Sequence, residues 1–336
     1  MPAMSAAALD RLLAILLAAQ LATGLLSLRA GSPPTAPLFV VHGLLAGVLL
    51  AAVALKLYRS VPSAIAARRW PALALASVLA LAASAALAGG FLWVASGRIL
   101  VLGQWTVLTL HVWAALALVP ILVVHLLPRR WRLLRPTGRR AGGLAISRRT
   151  ALGTLGLATI GLAAWLGGNL IESLSGGVRR FTGSRWLPDG LVPPVTTFFG
   201  EGAPNLDPDA WRLRVDGAVY LPLDLSLSEL TAIGEVERQE VLDCTSGWAQ
   251  RSLWRGVPLD RVLAAARPTS RARHVTVRSA TGWYARMPID EAPRAMLATG
   301  VAGGSLPVGN GAPCRLVAPD RRGLEWVKWV NRVEVS

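Results

Sequence analysis

Four side chains with useful chemistry sit where water is scarce. Three of the four histidines, His42, His111 and His125, lie within long apolar runs, and Lys56 has the same kind of surroundings. An ionisable group in such a run is expensive to keep in lipid, so it points to function and to the interior of a helix bundle. His111 and His125 are 14 residues apart. On a helix that is nearly four turns and about 21 Å of rise, so both imidazoles share a face. His42 and Lys56 repeat the interval of 14. Two helices spaced this way carry one nitrogen ligand near each face of a bilayer, as two metal centres stacked across it would need. Interhelical hydrogen bonding is the plainer alternative for His42 and His111. Three uses stand open for Lys56: snorkelling to the cytoplasmic headgroups, ligating a second centre opposite His125 through a neutral amine, or pairing with an anionic cofactor group or a quinone. His274 falls in an alternating strand and reads as a surface residue. Cys244 offers a different chemistry, since a thiolate is a soft metal ligand. The two cysteines, Cys244 and Cys314, are 70 residues apart. They are too few for a disulfide scaffold and leave room for one bridge.

Hydropathy sets the elements that must hold these residues. The chain has 336 residues, a hydrophobic fraction of 53% and a mean hydropathy of +0.47. Five runs approach the roughly 20 apolar residues that span a bilayer core: residues 12–28, 37–57, 71–95, 105–127 and 151–170. The net charge of +16 is unevenly spread: residues 1–180 carry 17 Lys and Arg against two acids, Asp10 and Glu172, and the remainder is nearly balanced. The excess sits in short loops between spans, the positive-inside pattern, and not on a nucleic-acid-binding face. Arg59, Arg68 and Arg69 follow the second span, and Arg129, Arg130, Arg132, Arg135, Arg139, Arg140, Arg148 and Arg149 follow the fourth. The alternate loops carry Arg29 and Arg98. The N-terminus is therefore expected inside the cytoplasmic membrane, and five crossings put the C-terminal part outside. Trp70, Trp93, Trp105 and Trp131 fall near span ends, as interfacial belts expect. His42 and His111 then share a depth near the outer face, and Lys56 and His125 share one near the inner face.

Past Gly177 prolines, acids and alternating apolar residues replace the long runs. Residues 211–217 and 274–278 read as strands and Leu259–Ala266 as a short helix. About 150 residues suffice for one domain with its own core. The expected fold is multi-domain. An all-α bundle of five helices, four of them holding haem, is followed by a mixed α+β domain. The boundaries are residues 1–135 for the four-helix part, 136–180 for a basic loop and the fifth helix, and 181–336 for the outer domain.

Two resemblances refine these expectations. Residues 10–130, through the spacing of His42, His111 and His125, resemble four-helix b-type cytochromes, in which two helices donate histidines to one or two haems. Haem b is the implied cofactor, held by His42 and His111, with His125 and Lys56 at an inner position. Lys56 departs from the pattern, because a histidine is expected there. In the second half, Val241-Leu242-Asp243-Cys244-Thr245-Ser246-Gly247-Trp248 is followed by Trp254-Arg255-Gly256-Val257-Pro258-Leu259. About 65 residues further on come Gly309-Asn310-Gly311-Ala312-Pro313-Cys314-Arg315-Leu316-Val317 and then Val327-Lys328-Trp329-Val330. Together these look like the molybdopterin domain of the sulfite oxidase family, and most like its compact bacterial members. The resemblance implies that Cys244 gives its thiolate to molybdenum and that Arg315 and Lys328 face the anionic parts of the pterin cofactor. Asn310 stands where many relatives have His; it can hydrogen-bond the pterin but cannot donate as an imidazolium. Cys314 reads as core. Tyr284, Trp248 and Arg251 are further pocket candidates.

Ser147-Arg148-Arg149-Thr150-Ala151-Leu152-Gly153 resembles a twin-arginine export signal, which carries folded, cofactor-loaded domains. A plain positive flank to the fifth helix is the alternative. The combined expectation is a membrane molybdoenzyme fed through haem by quinol or a cytoplasmic donor. It would reduce an S-oxide or N-oxide, free or protein-bound, as do the bacterial relatives that use a separate haem subunit. Sulfite-type oxidation delivering electrons to quinone is a second expectation, and a non-catalytic sensory domain on a cytochrome a third.

Overall fold

The computed structural model describes residues 4–127, 148–196 and 201–336. Trp131, Ser147 and Arg129, Arg130, Arg132, Arg135, Arg139 and Arg140 of the basic loop lie outside the described residues. Contacts divide the chain into two compact units, residues 1–27 with 34–183 and residues 28–33 with 184–336.

The first unit contains five helices long and apolar enough to cross a membrane: α1 (Ala6–Ser27), α2 (Ala36–Ala66), α3 (Trp70–Ala95), α4 (Val107–Leu126) and α5 (Arg148–Leu174). The expected spans all fall on these helices, but α1, α2 and α5 run further than hydropathy indicated. Charge ends a lipid-facing segment without ending a helix, because backbone hydrogen bonding continues through Asp10, Arg11 and Arg59. At 31 residues, α2 is about 46 Å long, well beyond a hydrocarbon core of about 30 Å. Pro37 and Pro71 sit in the first turns of α2 and α3, where a missing N–H costs nothing. α4 is capped by Thr106, whose hydroxyl accepts from Thr109 N at 3.1 Å. Trp105, expected inside the fourth span, instead lies in a two-strand hairpin, β1 (Val101–Leu102) with β2 (Trp105–Thr106).

α1 packs on α2, α3 on α4, and α5 on α2. The last contact is backbone on backbone. A Cβ placed on Gly47 would stand 2.3 Å from the carbonyl oxygen of Gly161, and one on Gly43 would stand 2.7 Å from Trp165 Nε1. Gly43 and Gly47 form a small-residue ridge of the kind that brings membrane helices close.

The second unit is built on two sheets. One joins β3 (Arg185–Trp186), β6 (Val236–Asp243), β7 (Trp248–Pro258), β10 (Met296–Val301), β11 (Gly304–Ser305) and β12 (Arg315–Val317) around β7 and β10. The other runs in the order β5 (Leu223–Leu225), β4 (Leu213–Gly217), β13 (Val330–Val335), β8 (His274–Ser279), β9 (Tyr284–Pro288). Pairing is antiparallel except β3 with β7 and β4 with β13. Two short helices, α6 (Leu227–Ala232) and α7 (Leu259–Ala266), complete it. The core holds Trp254, Trp326, Met296, Leu297 and Leu316, each below 2% exposed. The mixed sheet and helix content, the strands near 213–217 and 274–279 and the helix at Leu259–Ala266 agree with the sequence expectation.

The Gly47–Gly161 crossing can be tested. Gly161→Leu forces a side chain into the α2 backbone and is expected to destabilise the bundle by about 1–3 kcal/mol. Gly156→Leu, on the same helix but with nothing within 4 Å of its Cβ, should leave the thermal midpoint of the detergent-solubilised chain nearly unchanged. Equal midpoints for the two variants would contradict the crossing.

Candidate functional site

Cys244 occupies the turn of the β6–β7 hairpin, whose ladder runs from Val236 opposite Gly256 to Asp243 opposite Ala249. The turn closes through Cys244 N–H to Trp248 O at 2.8 Å and Gly247 N–H to Cys244 O at 3.0 Å. Gly247 has φ +101, a conformation that side chains rarely adopt. Fully buried Asp243 anchors the turn from behind: Ser184 Oγ donates to it at 2.6 Å and Arg322 Nε stands 3.6 Å away. The same guanidinium donates to Cys244 O at 3.2 Å. The backbone of the cysteine is thus fixed by a buried ion pair while Sγ points away from it. Sγ meets two hydroxyls, Ser246 Oγ at 3.0 Å and Thr196 Oγ1 at 3.2 Å.

Arg315 begins β12, which pairs with β10. It is 3% exposed, with its guanidinium 5.5 Å from the Trp254 ring and 5.8 Å from the Trp326 ring. Nη1 donates to Asn310 O at 2.9 Å, and Nε has no hydrogen-bond partner. Among the described residues no carboxylate pairs with this group. Burial pulls its pKa down to about 10, opposed by the nearby Cys244. The buried indole N–H groups of Trp248 and Trp254 are also unpartnered. A buried cation and buried donors left open are costly, and an anionic, acceptor-rich ligand removes that cost.

Lys328 adds a second cation. Burial lowers its pKa to about 8, with Arg315 pushing the same way and Cys244 and Glu201 opposing. Its Nζ donates to Thr196 O at 3.1 Å. Asn310, 1% exposed, donates from Nδ2 to Pro193 O at 2.9 Å. Residues 193–196 are therefore strapped down by Asn310 and Lys328, and the strap delivers the Thr196 hydroxyl to Cys244. The amide expected to meet the pterin is used in fixing this segment.

Cys244, Arg315, Asn310 and Lys328 are brought together. Arg251 is not: strand alternation turns it outward, where it pairs with Asp189 at 3.4 Å. Tyr284 is 57% exposed on β9, with the Arg278 guanidinium 5.3 Å from its ring. No contact with Cys244 or Arg315 is seen for it among the described residues. Cys314 is fully buried core, its thiol pushed up by desolvation. Thr196, Ser246, Trp254 and Trp326 escaped the sequence reading. Hydroxyl and indole residues near a cysteine are common, and the segments that carry them converge only in the fold.

In the helical unit, His42 on α2 and His111 on α4 face one another, with ring centroids 6.2 Å apart and planes at 90°. Two metal–nitrogen bonds of about 2 Å each, with the half-widths of two imidazoles, span about that distance. Nδ1 of His111 lies 2.6 Å from Ala86 O. A carbonyl can only accept, so this nitrogen carries the proton and Nε2 keeps its lone pair. His125 is in the last turn of α4. Lys56 has a partner that sequence spacing did not indicate: Nζ is 2.5 Å from Asp10 Oδ1, with both side chains about one-third exposed. An ammonium held by a carboxylate has no lone pair for a metal, so this geometry does not present Lys56 as an iron ligand.

Comparison with known proteins agrees with the C-terminal chemistry. Residues 201–336 match the family model for the oxidoreductase molybdopterin binding domain. The chain is 38% identical over 169 residues to the protein-methionine-sulfoxide reductase catalytic subunit MsrP of Xanthomonas campestris pv. campestris, covering 42% of this chain and 52% of the relative. The MsrP of Xanthomonas axonopodis pv. citri is 37% identical over the same shares. The chain thus spans about half the length of the curated relatives it matches. Among solved structures, the sulfane dehydrogenase SoxCD of Paracoccus pantotrophus aligns with 26% identity and TM-score 0.38 over 40% of each chain.

The lowered Lys328 pKa makes anion binding pH-dependent. The ammonium is present below about pH 8 and lost as pH rises through it. Inorganic phosphate titrated calorimetrically into cofactor-free protein should bind several-fold more weakly at pH 9 than at pH 7. Lys328→Arg should remove that dependence; a pH-independent wild type would refute it. For folding the sign reverses. The folded state sheds the proton at about 8 and the unfolded chain near 10.5, so this residue adds stability as pH rises across that window. Residues 201–336 thus match the oxidoreductase molybdopterin binding domain, and the buried cations Arg315 and Lys328 in that segment suit an anionic cofactor.

Proposed function

We propose that the chain is a multi-pass protein of the cytoplasmic membrane that reduces an S-oxide or N-oxide at the Cys244–Arg315 site. Electrons arrive from quinol or a cytoplasmic donor through b-type haem bound between His42 and His111. The observation that carries this reading is the buried, carboxylate-free Arg315 guanidinium beside the Cys244 thiol. The printed names of the MsrP relatives, methionine-sulfoxide reductases, support the reductive direction.

When bound, the molybdenum cofactor supplies two-electron exchange coupled to transfer of one oxygen atom, and haem supplies single electrons. The chain's own residues do the rest. Cys244 Sγ would bind molybdenum, with the Ser246 and Thr196 hydroxyls beside the sulfur orienting it. Arg315 and Lys328 would hold the cofactor's anionic groups, and the Trp248 and Trp254 N–H groups offer further donors. Asn310 and Lys328 keep the 193–196 strap closed over the sulfur. Overall, the S-oxide takes up two electrons and two protons and leaves as a sulfide and water. Lys328 Nζ holds a proton below about pH 8, which keeps the pocket cationic at neutral pH. In the bundle, His42 and His111 would hold the haem iron.

The basic loops support a cytoplasmic N-terminus and an extracytoplasmic molybdopterin domain. Arg148 and Arg149, in the first turn of α5, would serve as the twin-arginine signal, because a cofactor-loaded domain must fold before export. The outer position of the His42–His111 pair then gives an exported redox site its supply of electrons.

Two variants separate the halves. Cys244→Ser should lose molybdenum and methionine-sulfoxide reduction yet keep a reducible b-type spectrum. His42→Ala should lose the haem spectrum and quinol-driven turnover, yet keep molybdenum and reduction driven by an artificial dye. Full activity in Cys244→Ser, or purified wild type with no haem, would sink the corresponding half of the proposal.

A further inference from the structure

α1 carries no histidine, yet it contributes two polar side chains to His42. Gln20 Nε2 donates to the main-chain carbonyl of His42 at 3.1 Å, and Thr23 Oγ1 lies 2.8 Å from His42 Nδ1. Next in the chain, Gly24 lets the ring lie close, since a Cβ there would be 3.4 Å from His42 Cε1. Gln20, Thr23 and Gly24 are spaced i, i+3, i+4 and so share one helix face. Gln20 interrupts an otherwise apolar span, and apolar packing alone does not call for it.

Thr23 Oγ1 is also 2.8 Å from Ala19 O and 3.2 Å from Gln20 O. Both are carbonyls and can only accept, and helical threonines commonly turn the hydroxyl proton back to such carbonyls. With the proton there, Nδ1 of His42 donates to the Thr23 oxygen, and His42 carries the same tautomer as His111, with the Nε2 lone pair open. Their acceptors differ. His111 donates to the main-chain carbonyl of Ala86, which side-chain substitution does not remove, whereas His42 donates to a hydroxyl that it does.

We propose that Thr23 is a positioning residue for the outer haem: it fixes the tautomer and ring rotation of His42 and, through the Nδ1–H bond, sets the reduction potential of the iron. This rests on the haem reading above. A hydrogen bond accepted from Nδ1 gives the imidazole more anionic character, which makes it a stronger ligand and favours oxidised iron. Removing the acceptor leaves a weaker ligand and raises the potential.

The test uses the full chain in detergent, with Thr23→Val, which keeps the shape but not the oxygen, and Thr23→Ser, which keeps the oxygen. Haem per chain, a spectroelectrochemical titration and the electron paramagnetic resonance signature of the oxidised iron are recorded for each. Thr23→Val is expected to keep its haem and to raise the reduced-to-oxidised ratio at the wild-type midpoint by roughly tenfold. Its resonance signature should change, and Thr23→Ser should match the wild type. Loss of haem in Thr23→Val with retention in Thr23→Ser also supports positioning. An unchanged midpoint and resonance in Thr23→Val, or equal loss of haem in both variants, overturns the role of Thr23 and leaves the haem reading standing. Wild type without a b-type spectrum overturns both.

Discussion

Among the described residues no carboxylate pairs with the buried guanidinium of Arg315, a charge that is costly to bury alone, and much of the second unit is arranged around it. β12 carries it against β10, the rings of Trp254 and Trp326 lie at its sides, and the Asn310 carbonyl fixes one nitrogen. The desolvation cost is tolerable when an anion arrives, because charge-assisted hydrogen bonds are strong in a dry site. Lys328 adds a second, partly buried cation, which Glu201 and Cys244 only partly offset. The Asp243–Arg322 pair, in contrast, is internally balanced and serves geometry, holding the Cys244 turn so that the sulfur faces the cationic side. Two buried arginines thus do opposite things: Arg322 is neutralised within the fold, and Arg315 is left for a ligand.

The helical unit applies the same rule to neutral groups. A membrane interior offers no water, so each imidazole nitrogen must be accounted for. His42 and His111 each place Nδ1 within hydrogen-bond reach of an oxygen on a neighbouring helix, Thr23 Oγ1 of α1 and Ala86 O of α3. Their ring centroids lie 6.2 Å apart. Glycines do the remaining work of approach, at Gly24 beside His42 and at Gly47 against α5. Lys56 and Asp10 satisfy one another and stand apart from this arrangement.

The five apolar helices and the mixed sheet and helix content of the second half were legible in the sequence. Each depends on local pattern: apolar length, charge asymmetry, or a short motif around one residue. Span ends were less legible, because hydropathy reports where lipid stops and α1 and α2 continue past their charges. Arg251 looked eligible by proximity to Cys244, but period-two alternation along β7 sends Gln250 and Ser252 inward and Arg251 out. Thr196 could not have been singled out. It lies 48 residues from Cys244, in a proline-containing segment with no motif of its own.

The sequence by itself therefore determined the chemistry available: soft sulfur, two cations, histidines within apolar runs, and the length of apolar chain that carries them. Those properties belong to single residues and their near neighbours. The tertiary structure decided which charges remain open, which imidazole nitrogens are already bonded, and that Lys56 is paired with a carboxylate 46 residues away. Partnership is a property of pairs brought close by packing, and spacing along a chain says little about who will occupy the facing position. The apolar setting of His42 and His111 could be read from the sequence, but the approach of their rings and the proton on His111 Nδ1 required the neighbouring helices to be in place.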